Sequence, residues 1–179
     1  MAVFALTSFF VITAAHAEVR MVAIGDSGIR GKGVSDDENY PAQLERALNA
    51  RGHKVSITNA GVNGDTTDGV LARLDRDVPA DARIAIINVG VNDVAKLGRS
   101  PQQALMRVQM IVQRLQSRGI AVFNVNPLYR TLARRRDLHV EAYPVFGNYH
   151  LNAAGYAIVV DKSVTTIERL VRNVELSSR

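Results

Sequence analysis

Ile84-Ala85-Ile86-Ile87 is an unbroken apolar run inside the segment from Arg83 to Val89. A strand with one wet face alternates apolar and polar residues. A strand without a wet face does not, so this run reads as a strand covered on both sides, as in parallel sheets between helical layers. Val19 to Ile24, ended by Gly25, and Ile120 to Val125 read as strands of the same kind, and Val55-Ser56-Ile57-Thr58 alternates as a fourth. Helical spacing fills the gaps. Leu44, Ala47 and Leu48 lie on one stripe between Tyr40 and Ala50, and Val70, Leu71, Leu74 and Val78 follow cap-like Asp65, Thr66 and Thr67. Ser100-Pro101 opens a helix with Leu105, Val108, Val112 and Leu115, closed by Gly119. Tyr156, Val160, Val164, Ile167 and Val171 form the stripe of a last helix from near Asn152 to about Val174.

Strand-helix alternation in this order predicts a three-layer αβα sandwich with a flavodoxin-like parallel sheet of four to five strands. The least regular stretch, Leu128 to Tyr149, is expected to hold a short helix and a short fifth strand around Val140 to Phe146. The absence of repeats, low-complexity tracts and linkers argues for one domain over residues 18–179. The chain has no cysteine, which removes thiol nucleophiles, iron–sulfur clusters and Cys-based zinc sites, and four histidines leave little for a His-rich metal site. No metal and no cofactor are expected. A net charge of +5 without a basic run interleaved with aromatics gives no nucleic-acid signal.

Residues 1–17 carry no charge, are apolar through most of Val3 to Ala15, and end in the small-x-small sequence Ala15-His16-Ala17. This reads as a signal peptide of an exported protein, periplasmic or secreted, and it is too short to span a bilayer, which takes about 20 apolar residues.

In doubly wound sheets, ligands bind at the carboxyl ends of the strands. Strand one ends in Gly25-Asp26-Ser27, strand two is followed by Asn59 to Asp65, strand three ends in Gly90-Val91-Asn92-Asp93, and His150-Leu151-Asn152 precedes the last helix. Taken singly, each has a structural explanation. Ser27 would cap a helix, Asn63-Gly64 would make a turn, Asn92-Asp93 would cap the next turn, and His150 would neighbour a cap at Asn152. Together they supply a hydroxyl, a base of suitable ordinary pKa, and N–H donors for an oxyanion, which are the parts of acyl transfer. Other motifs fail. Gly25-Asp26-Ser27-Gly28 echoes trypsin-like proteases, but those are β-barrels. Gly31-Lys32-Gly33 has no Ser or Thr after its lysine, so it makes no phosphate loop. His53 and His139 have no partners evident in the sequence and are expected on the surface. The basic cluster of Arg130, Arg134, Arg135 and Arg136 is expected to be a solvated helix face.

The blocks Gly25-Asp26-Ser27, Asn59 to Thr67, Gly90 to Asp93 and His150 to Gly155 resemble the SGNH (GDSL) hydrolase family, in particular its small secreted branch of arylesterases, thioesterase I and lysophospholipases. Tyr40-Pro41-Ala42-Gln43-Leu44 and Leu71-Ala72-Arg73-Leu74 match the same branch in flanking helices. The resemblance implies an esterase acting on a small acyl ester, a thioester or a lysophospholipid. Ser27 would be its nucleophile, His150 its base, and Ser27 N–H, Gly64 N–H and the Asn92 amide its oxyanion donors. The family's histidine block usually reads Asp-x-x-His. Gly147 stands where that Asp belongs, so the third triad member is unassigned. Asp137 and Glu141 lie 13 and 9 residues before His150 with no spacing rule tying them to it, and a Ser–His dyad supported by a backbone carbonyl is the expectation. A catalytically impaired family member that binds acyl or glycan ligands is the alternative.

Export makes a direct prediction. Mass spectrometry of the protein from its native host should find Glu18 at the amino terminus, and a chain retaining Met1 would exclude cleavage.

Overall fold

A computed structural model describes residues 17–132, 135–143 and 148–178. Strand β1 (Val19–Gly25) pairs in parallel with β2 (Val55–Gly61) on one side and β3 (Ile84–Asn88) on the other, and β4 (Ala121–Asn124) extends the sheet to give the order β2-β1-β3-β4. Odd and even positions of the central strands serve opposite layers, as period-two geometry requires. Met21, Ala23, Ile84 and Ile86 face α2 (Tyr40–Ala50) and α7 (Ala153–Ser177). Val22, Ile24, Ala85 and Ile87 face α3 (Thr67–Asp77) and α5 (Pro101–Ser117). The apolar run at Ile84 thus has the two covered faces its sequence predicts, and the αβα sandwich is the observed architecture.

Caps set the helix starts. Asn39 accepts from Ala42 N, Thr66 from Gly69 N, Ser100 from Gln103 N in a full capping box, and Asn152 from Gly155 N. Each satisfies an amide that the first turn leaves without a partner.

Several expectations are corrected. A helix that the sequence pattern does not show, α1 (Ser27–Arg30), begins at Ser27 itself. Gly90 to Asp93, expected as the end of strand three, instead leads into a helix, α4 (Val91–Leu97), after β3 has ended at Asn88. β4 is a half-buried edge strand rather than a buried one. The fifth strand exists as β5 (His139–Tyr143), but it pairs antiparallel with β6 (Asn148–Leu151) outside the main sheet, and α6 (Asn126–Leu132) is the expected short helix. Apart from Ala17, the expected leader lies outside the described residues, as do Arg134 and Gly147. Arg130 and Arg135 are exposed, but they do not share one helix face, because α6 ends at Leu132.

His53 is not a surface residue. Its side chain is 9% exposed and bridges two glutamates of α7, with Nδ1 3.0 Å from Glu175 and Nε2 3.2 Å from Glu168. Burial alone would lower the imidazole pKa, but the two glutamates outweigh it and hold His53 above its ordinary value. Hydrogen bonds from His53, Arg172 and Arg51 hold Glu168 at about 2. A raised histidine stabilises the fold below its unfolded pKa of 6.5 and ceases to as pH rises through the higher folded value. A depressed glutamate stabilises above 4.5 and ceases to as pH falls toward about 2. The staple is therefore strongest between these limits. The Tm deficit of His53→Ala should be widest at about pH 5–6 and shrink at alkaline pH. A deficit independent of pH would show that packing, not charge, is what His53 contributes.

Candidate active site

The chain leaves β1 toward β2, returns, and enters β3 on the other side of β1. The switch point of the sheet therefore lies between the carboxyl ends of β1 and β3, where this topology opens a crevice. Ser27 sits there as the first residue of α1. Asp26 is its N-cap, with Oδ1 accepting from Gly28 N at 2.9 Å, and Gly31 closes the single turn in the left-handed region (φ 80°). The turn fits only without a side chain at position 28. A Cβ on Gly28 would lie 2.2 Å from Asn88 Nδ2 and 3.1 Å from the Tyr129 ring, whose hydroxyl donates to Gly28 O.

His150 arrives from β6. Its Nε2 stands 3.0 Å from Ser27 Oγ, within the range for proton transfer between a hydroxyl and a base. Buried Leu151 holds the strand end in the core, and Asn152 N donates to Leu138 O. In the β5–β6 ribbon His139 pairs with Leu151 and Ala142 with Tyr149. Two residues of β5, Val140 and Glu141, therefore oppose the single residue His150, the count of a β-bulge. Asp137 precedes the ribbon with an exposed carboxylate paired to Arg135.

Gly64 and Asn92 come together through the peptide between them. Gly64 adopts φ 75° in a turn closed by Asp65 N donating to Val62 O. Its carbonyl accepts from Lys96 Nζ at 2.8 Å. Asn92, buried on the inner face of α4, donates through Nδ2 to Asp65 O at 2.8 Å, which uses one of the two N–H groups on that nitrogen. This half of the site is tied to the serine half by main-chain bonds from Val62 N to Gly25 O and from Asp26 N to Asn88 O.

Several supporting residues were not apparent from the sequence. Asp93 is fully buried and accepts from Thr67 N, Thr67 Oγ1 and Arg99 Nη1, locking α4 to the start of α3. Arg73 is bonded to both strand ends and to Asp65. Thr67, Asp93 and Arg73 all stand in the quoted sequence blocks, but only as members of a pattern. An apolar groove of about 500 Å³ opens beside α4, lined by Val89, Gly90, Val94, Leu105, Val108 and Pro127 among others. Among the described residues no group of three or more His, Cys, Asp or Glu is disposed to hold a metal.

Burial pushes the Asp26 carboxyl up from 3.8 to about 7; the Gly28 N–H works against this, and the charges of Asp65 and Asp93 add to it. The unfolded chain ionises first, so Asp26 costs stability progressively as pH rises from about 3.8 to about 7. Asp26→Asn keeps an acceptor for Gly28 N without the charge. Its Tm advantage over the parent should be absent near pH 4 and complete above about pH 7. A difference that does not change with pH would mean that Asp26 does not titrate there.

A model of the GDSL-like lipase/acylhydrolase family matches residues 23–145, a span that takes in Ser27, Gly64 and Asn92 and stops short of His150. An arylesterase of Vibrio mimicus is 28% identical over 148 residues, covering 78% of this chain and 71% of that protein. Esterase TesA of Pseudomonas aeruginosa is 28% identical over 115 residues, covering 62% of this chain and 55% of that protein. Among solved structures, AlinE4, an SGNH-hydrolase family esterase, is 26% identical with a TM-score of 0.61 over 87% of this chain and 98% of its own. A crystal structure of TesA shares the fold at 18% identity, with a TM-score of 0.72 over 84% of this chain and 99% of that one.

Proposed function

The chain belongs to the GDSL-like lipase/acylhydrolase family and is an ester-hydrolysing serine hydrolase, and from that premise we propose that Ser27 and His150 carry out its chemistry on small carboxylic esters. The observation that carries this reading is the 3.0 Å contact between His150 Nε2 and Ser27 Oγ, made by residues 123 positions apart in the sequence. In the proposed reaction Ser27 Oγ attacks the acyl carbon as its proton passes to His150 Nε2. The carbonyl oxygen becomes an oxyanion facing the N–H groups of Ser27 and Gly64 and the remaining Asn92 N–H. Collapse breaks the bond to the alcohol oxygen, which takes the proton back from His150. Water then repeats the sequence on the acyl-enzyme and releases the acid. The groove beside α4 is the surface we assign to an apolar acyl or alcohol group. Thioesters and lysophospholipids are the other substrates that this reading admits.

We also propose that the protein acts outside the cytoplasm, on the strength of its uncharged apolar leader. Among the described residues no helix is long and apolar enough to cross a membrane.

A fluorophosphonate probe together with p-nitrophenyl acetate hydrolysis tests the core of this reading. Ser27→Ala should abolish labelling and turnover while the protein stays folded, and Asn92→Ala should lower kcat by about 10²–10³. Full esterase activity in Ser27→Ala would refute the assignment. A parent protein that binds ester analogues without turning substrate over would point to the impaired, ligand-binding alternative.

The missing acid is a separate question. Asp137 is engaged by Arg135 at the surface, whereas the ribbon gives Glu141 a backbone station opposite His150. That station replaces the spacing rule the sequence lacks and makes Glu141 the better candidate. Asp137→Ala should change kcat less than tenfold, and Glu141→Gln should lower it by about 10² or more, toward the 10⁴ that loss of the acid costs in the serine-protease triad. Small effects from both would leave Ser27 and His150 as a dyad.

A further inference from the structure

Arg73 is 8% exposed and lies in α3, off the rim, yet its guanidinium reaches the ends of β1 and β2 and the segment that follows β2. Nη2 donates to Gly25 O at 3.0 Å, Nη1 to Ala60 O at 2.8 Å and to Asp77 Oδ2 at 2.7 Å, and Nε to Asp65 Oδ2 at 2.8 Å. We propose that Arg73 is a positioning residue for the oxyanion site, setting Ser27 N–H, Gly64 N–H and Asn92 in register with one another. The proposal rests on the reading of Ser27 as nucleophile.

The argument runs through two peptide groups. The first joins Gly25 to Asp26. Its carbonyl accepts from Val62 N and Arg73 Nη2, and its N–H donates to Asn88 O. Both ends of that plane are therefore fixed one residue before Ser27, which fixes the direction in which the chain enters α1. The second peptide group joins Asp65, the residue after Gly64, to Thr66. Asp65 O accepts from Asn92 Nδ2, while the Asp65 carboxylate is held by Arg73 Nε and by Thr66 N. Asp65 thus links the asparagine to the guanidinium, and Arg73 links both to the end of β1. Space is reserved for this link: a Cβ on Gly69 would lie 1.8 Å from Asp65 Oδ1. A planar fork suits the task, because it addresses two carbonyls and two carboxylates at fixed angles. A lysine ammonium supplies charge without that geometry. Oxyanion donors accelerate acyl transfer only when aimed in advance at the place where charge develops, so a misaimed set costs turnover rather than substrate binding.

Arg73→Lys separates the two. With fold and Tm monitored, it should lower kcat for p-nitrophenyl acetate by about 10–10² while KM stays within about threefold, and slow fluorophosphonate labelling of Ser27 in proportion to kcat. A folded variant with parental kcat, or with its loss confined to KM, overturns the proposal. If Arg73→Lys does not fold, Asp65→Asn keeps the shape of the link and removes its charge. It should then lower kcat several-fold at unchanged KM, and parental kcat there overturns the proposal equally. Failure of the parent protein to label at Ser27 would instead sink the nucleophile assignment on which both rest.

Discussion

β1 stops at Gly25 against the backbone of β3, and the tightness of that stop decides the geometry of the rim. A Cβ at Gly25 would lie 2.0 Å from Asn88 O, so the two strand ends approach as closely as backbones can. The approach lets Asp26 N donate to Asn88 O and turns the chain into α1 at once, with Ser27 at its first position. Gly61 repeats the device at the end of β2, where a Cβ would lie 2.2 Å from Arg30 N. β1 thus closes on β3, and β2 on α1, without side chains to hold them apart.

Charge is distributed under this rim in an unusual way for a protein interior. Asp26 and Asp93 are buried and Asp65 nearly so, and their mutual repulsion contributes to the raised Asp26 carboxyl. Arg73 and Arg99 supply the opposing charge, Arg73 on Asp65 and Asp77, Arg99 on Asp93 and Asp68. Buried ion pairs of this kind contribute little net stability against an apolar replacement, but losing one partner is costly because the other charge is left uncompensated. Their value here is geometric: Arg73 joins α3 to Asp65 beside Gly64, and Arg99 joins Asp93 of α4 to Asp68 of α3.

What the sequence disclosed follows from how each element is held. β3, and β1 from Met21 on, are enclosed, so their apolar runs are unbroken. α2, α5 and α7 are long enough to show a stripe, and Ser100 and Asn152 mark two of their starts. α1 has four residues, too few for any period to show. α4 was hidden for a different reason. Val91, Val94 and Leu97 face outward, 50%, 43% and 49% exposed, while Asn92 and Asp93 face inward. Its pattern is inverted, apolar out and polar in, because its inner face builds a site instead of a core. The sequence around His53 shows no partner because Glu168 and Glu175 lie more than a hundred residues away, a pairing that only the docking of α7 creates. Ser27, Gly64, Asn92 and His150 were found as blocks at strand ends. The residues between them, Asp65, Arg73 and Asp93, act by contact, which spacing does not record.

The site has two halves of different construction. Ser27, Gly64 and Asn92 follow the ends of β1, β2 and β3, on segments anchored to one hydrogen-bonded sheet and within the span that the family model matches. His150 stands on β6, in a separate ribbon and beyond that span. Asp-x-x-His spacing places acid and base on one stretch of chain, where sequence distance controls their approach. A bulged antiparallel ribbon controls it by register, so an acid can face the histidine from nine residues upstream as readily as from three. Loss of the acid at position 147 therefore does not by itself imply loss of the function that an acid serves. The consequence falls on the bulge: the pairs His139–Leu151 and Ala142–Tyr149 fix the register, and with it which residues of β5 stand opposite His150.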